Sequence, residues 1–312
     1  MPQPNKISNL IVAMAEKKPP VSEAEELDSF LAELQSGGEI KELAGCATGF
    51  ASLDRVLNGI SPGLYLLVGP PACGKSAFAK QILDQVARHN SVPALFFAFN
   101  ERKADLRIRT LARLSGLESR EVRRGAGYLL HAYGVPKYQI NDPNEMAPGW
   151  DKLKLVAEGA KRWLDFIYVH ECGERTTLND IERRVREVRE AKKSQRLMVI
   201  IDDSQRLGDV GFSLEARLLM VAEMLQGLAA QSEIAVLATW PELQRLVQPQ
   251  EWAERVAGAN VVMVMRESAE RKPSFETDRA IDLHVVKNRS GEKATLRFNF
   301  SPSFSKFTEQ TD

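Results

Sequence analysis

Past about residue 45 the chain alternates short, uninterrupted apolar runs with stretches whose apolar residues recur every three to four positions. The runs are Leu64–Val68, Ala94–Phe99, Phe166–Val169, Leu197–Ile201, Ile234–Ala238 and Val261–Met265. Runs of strand length without polar alternation predict strands buried on both faces, and the helical patterns between them predict crossover connections. The fold class is therefore α/β with a largely parallel sheet. Leu178, Ile181, Val185 and Val188 mark one face of a predicted helix, and Thr177 with Asp180 has capping-box spacing at its start. Near the end, Asp282–Phe300 predicts two strands joined by a turn at Ser290–Gly291, an antiparallel hairpin finishing the sheet.

The first 45 residues differ from the rest. Leu27, Phe30, Leu31 and Leu34 are spaced for one amphipathic helix, followed by a break at Gly37–Gly38. This is an arm over 1–45 rather than a domain, and 46–312 forms the main unit. The helix needs a partner surface, which is either its own domain or a neighbouring subunit. Gly125–Gly149 is rich in Pro, Asn and Gly and reads as an inserted loop, with room for a short hairpin.

Composition narrows the function classes. Lys plus Arg and Asp plus Glu are both 42 in 312 residues, so the chain cannot hold a polyanion by overall charge, and any nucleic-acid contact needs a local basic surface. No apolar stretch approaches the roughly 18 residues of a bilayer span, and the start lacks the pattern of a signal peptide. The three cysteines are odd in number and have no CxxC spacing, which argues against a disulfide framework and a zinc site. The expectation is a soluble, cytoplasmic, reduced protein with no membrane contact.

The chemistry concentrates at Gly69-Pro70-Pro71-Ala72-Cys73-Gly74-Lys75-Ser76, which matches GxxxxGK[ST] between a predicted strand and a helix opening at Ala77. The glycines let backbone N–H groups curl around phosphate at a helix N-terminus, where the dipole favours negative charge. Lys75 is placed to reach the β- and γ-phosphates of ATP, and the Ser76 hydroxyl to ligate Mg²⁺. Asp202, at the end of an apolar strand, stands where a second metal-associated group belongs. Cys73 is a candidate for a lowered thiol pKa, although an ordinary loop position accounts for it as well.

These residues and their neighbours resemble a known family. Thr48–Gln81, Arg109–Leu117, the segment around Asp202 with Gln205, Lys287–Gly291 and Phe300–Phe307 occur in the order seen in the ATPase domain of DnaB-type replicative helicases, part of the RecA-like group. The resemblance implies a RecA-like P-loop ATPase core, a homo-oligomeric ring, hexameric in the family, or a filament, and ATP bound between neighbours. It also implies that Lys287 and Arg289 reach the γ-phosphate of the adjacent subunit, and that the central loops, here Arg206–Arg217 and Glu242–Arg255, meet single-stranded DNA.

Two positions depart from the family. Its water-activating glutamate after the second strand aligns with Asn100, which cannot accept a proton. Glu101 is the substitute, although side chains alternate along a strand and a one-residue shift reverses direction. Its Ser-Gln pair after the strand at Ile234–Ala238 is Thr239-Trp240, with the indole expected to pack in the core. The central loops also mix Arg206, Arg217, Arg245 and Arg255 with Asp209, Glu215, Glu242, Glu251 and Glu254, which dilutes a strand-tracking charge signal. The resemblance points to a helicase or translocase ATPase acting on single-stranded DNA in replication or related DNA metabolism. The departures keep open a nucleotide-dependent DNA-binding or assembly protein with weak hydrolysis, and a RecA-like recombination or regulatory ATPase.

Overall fold

A computed structural model describes residues 45–132, 148–207, 211–242, 248–269 and 277–310. The elements in chain order begin with α1 (Ala51–Leu57), β1 (Gly63–Gly69), α2 (Lys75–Asn90), β2 (Ala94–Ala98), α3 (Lys103–Ser115), α4 (Ser119–Ala132) and α5 (Pro148–Leu164). They continue with β3 (Ile167–Glu171), α6 (Leu178–Lys192), β4 (Met198–Asp202), α7 (Leu214–Ser232), β5 (Ala235–Pro241) and α8 (Glu251–Arg255). The last strands are β6 (Val261–Glu267), β7 (Arg279–Asn288), β8 (Ala294–Ser301) and β9 (Lys306–Glu309).

One nine-stranded sheet runs in the order β3-β2-β4-β5-β1-β6-β7-β8-β9. From β3 to β6 the neighbours are parallel, and β6, β7, β8 and β9 pair antiparallel. The expected hairpin forms as β7–β8, and Lys306–Glu309 adds a further strand outside it. Each apolar run divides between two cores, as a strand covered on both faces requires. Tyr65, Leu67, Phe96 and Ile200 face one layer with α1 and α2; Leu64, Leu66, Phe97, Val199 and Ile201 face the other with α6 and α7.

The helix after the phosphate-loop motif is the most enclosed. α2 buries Phe78 against Phe50, Phe298 and Phe307 at centroid distances of 5.3, 5.4 and 5.0 Å. Its buried polar groups are paired, as burial demands. Gln81 accepts from Phe307 N at 2.8 Å and donates to Phe307 O at 2.9 Å, clamping β9 to the helix. Lys80 pairs with Asp84 and donates to Thr110 Oγ1 at 2.8 Å, and Arg113 of α3 pairs with Asp84 and donates to Ser305 O at 2.9 Å. Burial pushes the Lys80 ammonium below its ordinary range, and Asp84 opposes that shift.

The capping box of α6 forms as expected, with Asp180 N donating to Thr177 Oγ1 at 3.3 Å and Thr177 N donating to Asp180 Oδ2 at 3.0 Å. The inserted segment differs from expectation. α4 continues through a kink at Gly125 (φ 72°) to Ala132 and α5 starts at Pro148, so only 133–147 of the expected loop falls outside the described residues. Gly125 alone leaves helical backbone geometry within α4, so the Gly-rich start of the segment kinks the helix instead of ending it. The arm at 1–44 lies outside the described residues, as do Asp209 and Arg245. Among the described residues no helix is long and apolar enough to cross a membrane.

Phe78→Ala removes a fully buried ring from the cluster that holds α2 and should lower unfolding free energy by about 3–5 kcal/mol in urea titrations. Thr177→Ala should cost about 1 kcal/mol and leave the slope of the same titration unchanged.

Candidate nucleotide-binding site

The phosphate-loop motif occupies the turn from β1 into α2. β1 is buried along its whole length, so the chain must reverse direction within Pro70–Gly74 before α2 starts at Lys75. Ala72 (φ 62°) and Gly74 (φ 105°) take left-handed backbone geometry to do so. A Cβ on Gly74 would lie 2.8 Å from Phe307 Cζ and 3.0 Å from Phe300 Cε1, and one on Gly69 would lie 2.6 Å from Met265 O. Only glycine fits at either end of the loop. Lys75 is 8% exposed, and its ammonium donates to Gly69 O at 2.8 Å and Pro70 O at 2.9 Å. It is therefore folded over the loop that a phosphate would occupy.

β4 and β5 deliver the second half of the site. Asp202 is 1% exposed, and its Oδ1 accepts from Ser76 Oγ at 3.0 Å and from Thr239 Oγ1 at 2.8 Å. Oδ2 is buried with no hydrogen-bond partner. Burial pushes this carboxyl up, with Asp203 adding to the effect and the bonds from Thr239 and Ser76 opposing it. An orphaned carboxylate oxygen beside a serine hydroxyl at a phosphate loop fits a hard divalent cation that takes its remaining oxygens from phosphate and water. Among the described residues no three His, Cys, Asp or Glu side chains cluster to hold a metal by themselves.

Lys75 and Ser76 open onto a cleft of about 780 Å³ that Asn100, Glu101, Arg109, Asp203 and Phe300 also line. Here an expectation is corrected. β2 ends at Ala98, so strand alternation no longer governs Asn100 and Glu101, and both border the same cleft. Asn100 Nδ2 donates to Asp203 Oδ2. Glu101 pairs through Oε1 with Arg109, while its Oε2 is buried without a partner. Burial raises the Glu101 carboxyl above the usual range against the pull of Arg109, and Asp202, Asp105 and Asp203 raise it further.

The other sequence candidates are dispersed. Gln205 Nε2 donates to Asp203 Oδ1 at 3.4 Å, so it meets the cleft through Asp203. Within this chain Lys287 Nζ donates to Val256 O at 3.0 Å and Ala257 O at 2.7 Å, and Arg289 donates to Ala257 O at 3.2 Å. Neither lines the cleft of its own subunit. Cys73 is buried, and burial pushes its thiol up despite Lys75, the opposite of a lowered pKa. Trp240 packs in the core at 1% exposure.

Some functional-looking residues had no sequence signal. Glu242, counted as a diluting loop acid, is 2% exposed; it accepts from Trp252 Nε1 at 3.1 Å and from Arg266 Nε at 3.1 Å. Its backbone N–H also donates to Gly69 O at 2.8 Å, so the end of β5 is bonded to the start of the phosphate loop. Asp203 follows Asp202 directly and lines the cleft, and no local pattern distinguishes it. Arg255, read as a loop cation, pairs with Glu215 at 2.7 Å.

Gly74→Ala should lose nucleotide binding at least tenfold, read by a fluorescent ATP analogue, because a Cβ there meets rings that also pack α2. Cys73 should resist alkylation in the folded protein at pH 8 and react only on denaturation. The shift is upward, so the thiolate fraction grows only above the ordinary thiol pKa.

Comparison with known proteins places this geometry. The family model described as the DnaB-like helicase C-terminal domain matches residues 45–309. Replicative DNA helicases DnaB from Leifsonia xyli subsp. xyli, Pasteurella multocida and Haemophilus influenzae are 25, 24 and 23% identical over 86, 86 and 95% of this chain. The chain spans 56, 57 and 64% of the length of those relatives. A solved ATPase domain superposes with a TM-score of 0.71 at 16% identity, covering 94% of this chain and 100% of that one. A DnaB-like replicative helicase solved for its interactions with primase also gives 0.71, at 15% identity, over 98% of this chain and 71% of its own. The sheet order and C-terminal antiparallel strands are thus those of the RecA-like helicase ATPase fold, and the chain belongs to the DnaB-like helicase C-terminal domain family.

Proposed function

We propose that this chain is a DnaB-like helicase or translocase ATPase that binds ATP with Mg²⁺ and acts on single-stranded DNA in replication or related DNA metabolism. The observation that carries the reading is the unpartnered Asp202 Oδ2 beside Ser76 at the mouth of the phosphate loop. In it Gly69, Pro70, Pro71, Ala72, Cys73, Gly74 and Ala77 line or support the phosphates by backbone, and Lys75 swings from its loop carbonyls onto the β- and γ-oxygens. Ser76 and Asp202 hold Mg²⁺, which when bound neutralises charge developing on the phosphate oxygens. The proton acceptor is Glu101 or a water network at the cleft wall. Gln205 bonds Asp203 in the cleft wall.

Arg289, with Lys287, acts from a neighbouring copy of the chain, because neither reaches the cleft of its own subunit. The functional unit is accordingly a homo-oligomer, a hexameric ring or a filament, with the arm at 1–45 separate from the ATPase unit at 46–312. A second reading, an assembly protein that holds ATP with little turnover, is favoured by the amide at Asn100, which lacks the basicity of a carboxylate.

Steady-state ATP hydrolysis with and without single-stranded DNA separates the two. The helicase reading expects turnover that DNA stimulates; tight ATP binding with no turnover in either condition selects the assembly reading. Lys75→Ala should abolish binding, and retained tight binding in that variant would remove the phosphate-loop assignment. Arg289→Ala should lower turnover by about 10³-fold, the range of a lost arginine finger, while nucleotide affinity changes little. It should also depress the activity of wild-type subunits mixed with it.

A further inference from the structure

We infer that Asp203, held by Asn100, is the carboxylate that takes the proton from the attacking water. The inference rests on the ATPase reading above and identifies a residue that reading leaves open. A general base needs an oxygen that water can reach. Glu101 is committed elsewhere in this structure: Oε1 is in the ion pair with Arg109, and Oε2 is buried without a partner. Asp203 is half-buried, follows the Asp202 carboxylate directly, and lines the cleft together with Lys75 and Ser76.

The backbone is shaped for this. Asp203 takes φ 58°, the left-handed region, which aspartate tolerates better than most residues. Its N–H donates to Thr239 Oγ1 at 2.8 Å, the same hydroxyl that donates to Asp202 Oδ1, so one threonine fixes both aspartates. The strand path is thereby broken immediately after Asp202, and the next side chain turns into the cleft instead of across the sheet. Asn100 Nδ2 then donates to Oδ2, and Gln205 Nε2 to Oδ1 at 3.4 Å. Each carboxylate oxygen keeps a lone pair for water, since an ionised carboxylate accepts about four hydrogen bonds.

Position 100 has in this way exchanged roles. A proton acceptor there would face the Asp203 carboxylate with like charge, whereas an amide donates to it and fixes its direction. In the step, the water proton passes to Asp203 and the water oxygen bonds to the γ-phosphorus. The bond from that phosphorus to the β–γ bridging oxygen breaks, and its electron pair leaves on ADP. Asn100 is the positioning residue of the pair.

The test compares kcat, KM for ATP, affinity for a fluorescent ATP analogue and melting temperature for Asp203→Asn, Glu101→Gln, Asn100→Ala and Asn100→Glu in the full chain. Asparagine tolerates the left-handed backbone, so Asp203→Asn changes the charge and keeps the fold. The expected result is a loss in kcat of about 10²–10³-fold for Asp203→Asn with binding and melting unchanged, and less than tenfold for Glu101→Gln. Asn100→Ala should lower kcat and leave KM within about twofold, a split that a purely structural role does not produce. Turnover in Asp203→Asn within tenfold of the parent, an equal or larger loss in Glu101→Gln, or a gain in Asn100→Glu would overturn the assignment while leaving the ATPase reading in place. ATP binding with no hydrolysis in the parent chain would overturn the ATPase reading itself, and the assignment with it.

Discussion

The buried carboxylate of Asp202 is the constraint around which the site is organised. A carboxylate at 1% exposure is costly unless its oxygens are satisfied, and here one oxygen receives two hydroxyl donors while the other receives none. The two donors come from different elements, Ser76 from the helix after the phosphate loop and Thr239 from β5. The ends of β4 and β5 and the start of α2 are therefore held at one point. That point lies at the carboxyl edge of a parallel sheet, where open α/β folds gather their ligands.

The rigidity of that point comes from the layer behind it. α2 is pinned by an aromatic cluster on one side and by the Lys80–Asp84–Arg113 network on another, and Gln81 joins its backbone-facing side to β9. Charged groups in such a network are weak contributors to net stability, but removing one partner strands the others in a dry environment. Their consequence is geometric. Lys75 and Ser76 begin a helix that cannot tilt without breaking contacts to α3 and the C-terminal strands together. The start of the phosphate loop is tied in the same manner, by the Glu242 N–H on Gly69 O and by the Glu242 carboxylate on Trp252 and Arg266.

The outer wall of the cleft is a different kind of structure. Asn100, Glu101 and Asp203 lie just past the ends of β2 and β4, where ladder hydrogen bonding has stopped and side chains choose one another by charge. Glu101 chooses Arg109 and Asp203 chooses Asn100, while Asp202 and Asp203 still act on the Glu101 carboxyl as like charges. Lys287 at the end of β7 and Arg289 in the following turn are tied to the Val256–Ala257 carbonyls and do not line this cleft.

The strands, the phosphate loop, the capping box and the β7–β8 hairpin were legible because each is a local signal: a run of apolar residues, two glycines at fixed spacing, a threonine three residues before an aspartate. Asp202 was legible too, since it ends such a run. What tertiary structure decided was every choice made between residues far apart in the chain. Glu242 is buried because Arg266 and Trp252 come to it, the Cys73 thiol is pushed up because the fold buries it, and Asn100 faces Asp203 because β2 and β4 are neighbours in the sheet. Periodicity records which face of an element is apolar, and the strand order that sets these pairings is fixed by packing, so no pattern within β2 or β4 could have announced them.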